Sequence, residues 1–252
     1  MANGQRSSGV AGAAPELAVR AVFFDLVGTL ICGRASIGGQ YAAHAWACGA
    51  ADADPRRLDA AFARAMRAAP PLAFPGHNVT DIARLERGWW RAIVQAVVVD
   101  GGLAATLTGG VFDTYFERLY EHFGTGGAWR VYPDVVPTLA ALRNRGVALG
   151  VITNYDTRVH RVLDELGLSP LLASVTIPAD VGAAKPAPAI FARALAAAGV
   201  PAPDAVYVGD SLDDDYHGAR AAGLNAVLLD RDGCHVRADG VRRIVSLRDL
   251  AV

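Results

Sequence analysis

An acid at Asp25, a hydroxyl at Thr153, an ammonium at Lys185 and carboxylates at Asp210 and Asp215 lie far apart in this chain, but the runs around them share a pattern. Asp25, Thr153 and Asp210 each close an apolar stretch, AVFF, VALGVI and AVYVG, and Lys185 lies in GAAKP after LLASVTI. If those stretches are parallel strands, all of these groups face one edge of the sheet, where ligands and catalytic groups collect in α/β folds. Lys185 is the only lysine, the other 23 basic residues being arginine. A compact, flexible point charge of that kind suits a small cluster of phosphoryl oxygens. The segment GDSLDDDYHGARAAG (209 to 223) adds carboxylates on a loop that enters a helix. Magnesium takes hard oxygen ligands, commonly one or two carboxylates with waters and a substrate phosphate. Asp210 and Asp215 fit the metal and its support, whereas Asp213 and Asp214 read as solvated acids that favour a helix start.

These residues need a scaffold, and hydrophobic periodicity supplies one. Ala21 to Phe24 is apolar without alternation, as in a strand covered on both faces. After Pro133 the chain alternates: strand 147 to 153, helix about 158 to 166, strand 171 to 177, helix about 187 to 198, strand 205 to 210, helix 216 to 222, strand 225 to 229. Right-handed crossovers assemble such a βα repeat into a doubly wound parallel sheet. Between the first strand and this repeat the period is helical, with Tyr41, Ala45 and Cys48, then Leu58, Phe62 and Met66, then Ile82, Leu85, Trp89, Ile93 and Val97. The spacing predicts an α/β core over 19 to 32 and 129 to 252 with a helical insertion over 33 to 128. Trp89 is expected to pack inside that insertion rather than line a pocket. Residues 1 to 18 are small and polar, lack a convincing secretory pattern, and read as a disordered lead-in.

Composition narrows the partners. The 252 residues carry a net charge of -1 and a pI of about 6.6. That balance gives no electrostatic footprint for nucleic acid, and no apolar run approaches the roughly 18 residues of a membrane span. Cys32, Cys48 and Cys234 have no metal spacing, and reduced thiols in a cytoplasmic compartment account for them. The six histidines lack zinc spacing, and no GxxxxGK[ST] or GxGxxG turn is present.

DxxGT at Asp25 to Thr29, the strand ending in Thr153, Lys185-Pro186 and GDSxxxD at Gly209 to Asp215 resemble, in order, the four motifs of the haloacid dehalogenase superfamily. The helical insertion is similar to that superfamily's type 1 cap. A narrower likeness to one branch is carried by NYDTR (154 to 158), the Trp89-Trp90 pair, AAPPLAFPG (68 to 76), VYPDV (131 to 135) and DDDYHGAR. The resemblance implies that Asp25 attacks phosphorus and becomes an aspartyl phosphate. It implies magnesium held by Asp25, Asp210 and the backbone carbonyl of Val27. It further implies that Thr153 and Lys185 bind the equatorial oxygens, that Asn154 joins them in holding a small phosphorylated substrate, and that Asp215 orients Lys185 or a metal-bound water.

One position departs from the superfamily's phosphatases, which carry a second aspartate two residues after the nucleophile. This chain has Val27 there. Valine can neither protonate a leaving group nor activate water, and general acid-base help is commonly worth about 10² to 10⁴ in rate. Ordinary alkyl phosphates are therefore expected to react poorly, and turnover to be weak or specialised. Two other readings stand beside this one: a phosphoryl-binding protein of little activity, and a hydrolase of the 2-haloacid dehalogenase type. The retained Asp210 opposes the latter, and the lack of a second lysine opposes a Schiff-base phosphonate mechanism. Arg34 and Arg158 are expected to pair at the solvated surface.

Overall fold

A computed structural model describes residues 19–235 and 240–252; the lead-in expected over 1 to 18 lies outside the described residues. Strand β1 (Ala21–Phe24) is buried at all four positions and hydrogen-bonds on both sides, to β4 (Ala148–Ile152) and β6 (Ala205–Gly209). With β5 (Ser174–Thr176), β7 (Asn225–Leu229) and β8 (Arg243–Ile244) the six parallel strands run β5-β4-β1-β6-β7-β8. The lack of alternation in AVFF has a direct cause. Val22 and Phe24 point to one face, against Leu139 and Leu142 of α5 (Val135–Asn144) and Val162 of α6 (Val159–Glu165). Ala21 and Phe23 point to the other, against Ile190, Phe191 and Ala194 of α7 (Pro188–Ala198). Both faces being covered, every residue of the strand is apolar, and the expected doubly wound sheet is what forms.

Between β1 and β4 the chain leaves the sheet and returns on a two-stranded antiparallel ribbon, β2 (Ile31–Gly33) with β3 (Trp129–Val131). Four helices lie between the ribbon strands: α1 (Ile37–Ala47), α2 (Pro55–Ala68), α3 (Val79–Asp100) and α4 (Gly109–Phe123). Ser36 caps α1 by accepting from the Gly39 amide at 3.0 Å, and Asp54 caps α2 from the Arg57 amide at 2.9 Å ahead of Pro55. The helices share a cluster of their own, in which Tyr41, Leu58, Val97, Tyr115 and Phe116 are buried. No described helix is long and apolar enough to cross a membrane.

Two expected elements come out differently. The stretch 171 to 177 forms a strand only over Ser174–Thr176, because Ser169–Leu171 closes a 3-10 turn at Pro170. The helix expected over 216 to 222 is a π-helical turn, Leu212–His217, followed by the short α8, Gly218–Ala221.

Candidate active site

Asp25, Thr153 and Asp210 each follow the last residue of β1, β4 or β6, and parallel pairing brings those three ends together. Asp25, Asp210 and Asp215 each offer an oxygen within 4.8 Å of the other two. Two glycines permit that approach. A β-carbon on Gly28, whose φ is +94°, would lie 2.3 Å from an Asp210 oxygen, and one on Gly209 would lie 2.3 Å from Asp215.

Lys185 is buried in the middle of this group. Its Nζ donates to Asp25 Oδ1 at 2.6 Å, to Asp215 Oδ1 at 2.6 Å and to the Tyr207 hydroxyl at 2.9 Å. That hydroxyl has one proton and two acceptors in reach, Asp215 Oδ1 at 2.8 Å and the Ile152 carbonyl at 3.0 Å. The other Asp215 oxygen accepts from the Ser211 amide at 2.9 Å. Both ends of the Asn154 amide hold the backbone of Lys185, at 2.8 Å and 3.0 Å. The Thr153 hydroxyl makes no hydrogen bond among the described residues and belongs to a residue that lines the cavity above.

The electrostatics of this cluster are unbalanced, with three carboxylates against one ammonium. Burial pushes Asp25 up to about 6 against the pull of Lys185. Burial, with repulsion from Asp25 and Asp215, pushes Asp210 up to about 7. Burial works to lower the Lys185 ammonium, but Asp215 and Asp25 outweigh it and the net shift is upward. An all-oxygen donor set with surplus negative charge fits a hard divalent cation. Asp215 has its oxygens committed to Lys185, Tyr207 and Ser211, so Asp25 and Asp210 have more lone pairs free for an ion.

A cavity of about 590 Å³ opens over these groups, and its walls include side chains from all four inserted helices. Trp89 packs against the core of the inserted helices as expected and, contrary to expectation, also lines this cavity, while its indole donates to the Pro70 carbonyl at 2.9 Å. Asp214, expected to be solvated, is half-buried on the cavity wall, and burial raises its carboxyl. Arg34 is exposed but makes no ion pair among the described residues, and Arg158 pairs but is not at the surface. The Arg158 side chain is 16% exposed and pairs with the fully buried Asp156, whose second oxygen also takes the indole N–H of Trp90. Glu86, Trp90, Asp156 and Tyr207 went unassigned in the sequence. The NYDTR stretch and the Trp89-Trp90 pair hint at two of them, Asp156 and Trp90.

A sheet edge carrying an acid, a buried lysine and two further carboxylates beneath a helical insertion defines a hydrolase of the haloacid dehalogenase type. The chain belongs to the haloacid dehalogenase-like hydrolase family, whose model matches residues 19–223. It is 33% identical over 216 residues to "Haloacid dehalogenase-like hydrolase domain-containing protein 3" of Mus musculus, covering 86% of this chain and 84% of that one. Among solved structures it is similar to an HAD phosphatase from Thermococcus onnurineus (26% identity, TM-score 0.61, 91% of this chain and 94% of that one). It is equally similar to a 2-haloacid dehalogenase from Pseudomonas syringae pv. Tomato DC3000 (28% identity, TM-score 0.60, 91% and 95%).

Proposed function

We propose that the protein is a magnesium-dependent phosphohydrolase that works through Asp25. The observation that carries this reading is the surplus of carboxylate at the sheet edge, where Asp210 adds to Asp25 and Asp215 around one ammonium. Bound magnesium, held by Asp25, Asp210 and the Val27 carbonyl with Asp215 in support, supplies the positive charge that lets an anionic nucleophile approach an anionic phosphate. Lys185 occupies Oδ1 of Asp25, which leaves Oδ2 to attack phosphorus. Thr153 and Lys185 bind the phosphoryl oxygens, Asn154 fixes the Lys185 backbone, and Asp215 holds the Lys185 ammonium in line. The helices of 33 to 128 act as the cap that excludes water above Asp25.

The two solved relatives have similar folds and bear names of different chemistry, so the fold does not choose between phosphate and carbon-halogen substrates. Val27 supports weak or specialised turnover, and favours as second reading a phosphoryl-binding protein of little activity.

Acetyl phosphate turnover with and without magnesium, in wild type and Asp25→Asn, tests the proposal. Metal-dependent turnover lost in Asp25→Asn supports it. Chloride release from 2-chloropropionate without metal would overturn it, and metal-dependent beryllofluoride binding without turnover would favour the binding reading.

A further inference from the structure

The cavity over Asp25 is polar at its floor and apolar nearly everywhere else. Its upper wall is built from Phe62 and Met66 of α2, Trp89 of α3, Phe116 of α4, and Leu72 and Trp129. Among the described residues lining it, the charged side chains are Asp25, Asp210, Asp214, Asp215, Lys185 and Arg158. Four of the six are acids, which repel any anion beyond the one a metal would neutralise. Lys185 already serves Asp25, Asp215 and the single phosphoryl group bound beside them. Arg158 is spent as well: Nε and Nη2 donate to the two oxygens of Asp156, and Nη1 donates to the Tyr120 carbonyl. No cation is therefore left for a second carboxylate or phosphate. The uncommitted polar groups of the upper wall include the neutral hydroxyls of Tyr41 and Tyr120, which make no hydrogen bond among the described residues.

We propose that the substrate class is a phosphoryl compound with one anionic group and an uncharged, apolar body of about bicyclic size, joined through an acyl or aryl oxygen; this rests on the reading of Asp25 as nucleophile. The volume of about 590 Å³ lies inside the roughly 300 to 1,000 Å³ of small-molecule sites. The acyl or aryl linkage follows from Val27. As Asp25 Oδ2 bonds to phosphorus, the bond from phosphorus to the leaving oxygen breaks and the electron pair departs with that oxygen. A carboxylate or phenolate carries the pair without needing a proton from position 27, whereas an alkoxide does not. Water then attacks phosphorus, the aspartyl phosphate opens to the free carboxylate, and phosphate leaves with the proton passing to solvent.

Calorimetry of the full chain with magnesium, using nonhydrolysable phosphonates, reads the preference without turnover. Naphthylmethylphosphonate should bind at least about 30-fold more tightly than methylphosphonate, since each buried methylene is worth about fourfold. 4-Carboxybenzylphosphonate should bind about tenfold or more weakly than benzylphosphonate because nothing pairs its carboxylate. Met66→Arg, at a wall position that is 38% exposed, should narrow or reverse that second difference. Equal affinities within either pair overturn the substrate class. So does failure of every phosphonate to bind, which removes the phosphoryl reading with it. Turnover of 1-naphthyl phosphate by Asp25→Asn separates the two claims. Persistence of turnover sinks the nucleophile and with it the mechanism, while equal affinities alongside Asp25-dependent turnover sink the apolar class alone.

Discussion

Glu86, on α3, accepts from both the backbone amide and the hydroxyl of Thr157, at 3.2 Å and 2.5 Å. The bond spans from the inserted helices to the loop that follows Thr153, and Glu86 is only 2% exposed. Trp90 to Asp156 and Arg158 to the Tyr120 carbonyl fasten the same loop to α3 and α4. Glu86→Ala strands two donors and should cost about 1 to 3 kcal/mol in urea unfolding. Glu86→Gln keeps an acceptor and should recover part of that, with amide exchange of residues 154 to 158 rising in the order wild type, Gln, Ala.

Val27 is 36% exposed and lies on the cavity wall, so a longer polar side chain has room there. Val27→Asp supplies the missing acid. Hydrolysis of alkyl phosphates should rise by about 10² to 10⁴, while p-nitrophenyl phosphate, whose leaving group needs little help, should gain much less. A steady-state comparison of the two substrates checks this.

Magnesium should raise the melting temperature of the wild type, because an ion that binds only the folded chain stabilises it by mass action. In Asp210→Asn the shift should vanish or fall sharply. Without magnesium that variant should melt no lower than wild type, since it removes one of three crowded carboxylates.

Burial alone would raise Asp134, but the Arg231 guanidinium, at 2.9 Å and 3.0 Å, together with the Leu247 amide and Ser246 hydroxyl, holds its carboxyl below the usual range. A depressed folded-state pKa contributes stability that is present above the unfolded value near 4 and is lost as pH falls through the folded one. Asp134→Asn should therefore lower the melting temperature at pH 6, and that deficit should shrink as pH falls below the usual carboxylate range and through the depressed folded-state pKa. A series of thermal melts on both proteins measures it.

Strands β1, β4, β6 and β7 were legible because each is an unbroken apolar run that stops at a polar residue, and burial on both faces demands that composition. Lys185 stood out by being unique. The two ribbon strands and β8 were not visible, since two or three residues show no period. The fastening of the 154 to 158 loop was hidden for another reason. Glu86 and Thr157, or Trp90 and Asp156, are 71 and 66 residues apart, and no local pattern encodes such a pair. Asp213, Asp214 and Asp215 were separable only in part, because the π-helical turn shifts their phase: the first is exposed, the second half-buried and the third buried.

The chain's sole ε-amine is sealed under the cavity floor, 6% exposed, while the rest of its cationic exterior is guanidinium. Reagents that acylate lysine side chains thus have no handle on the closed molecule's surface. Modification at position 185 would instead require entry through the cavity and release of the ammonium by Asp25 and Asp215, which makes a crude labelling reaction a measure of how often that ion cluster lets go.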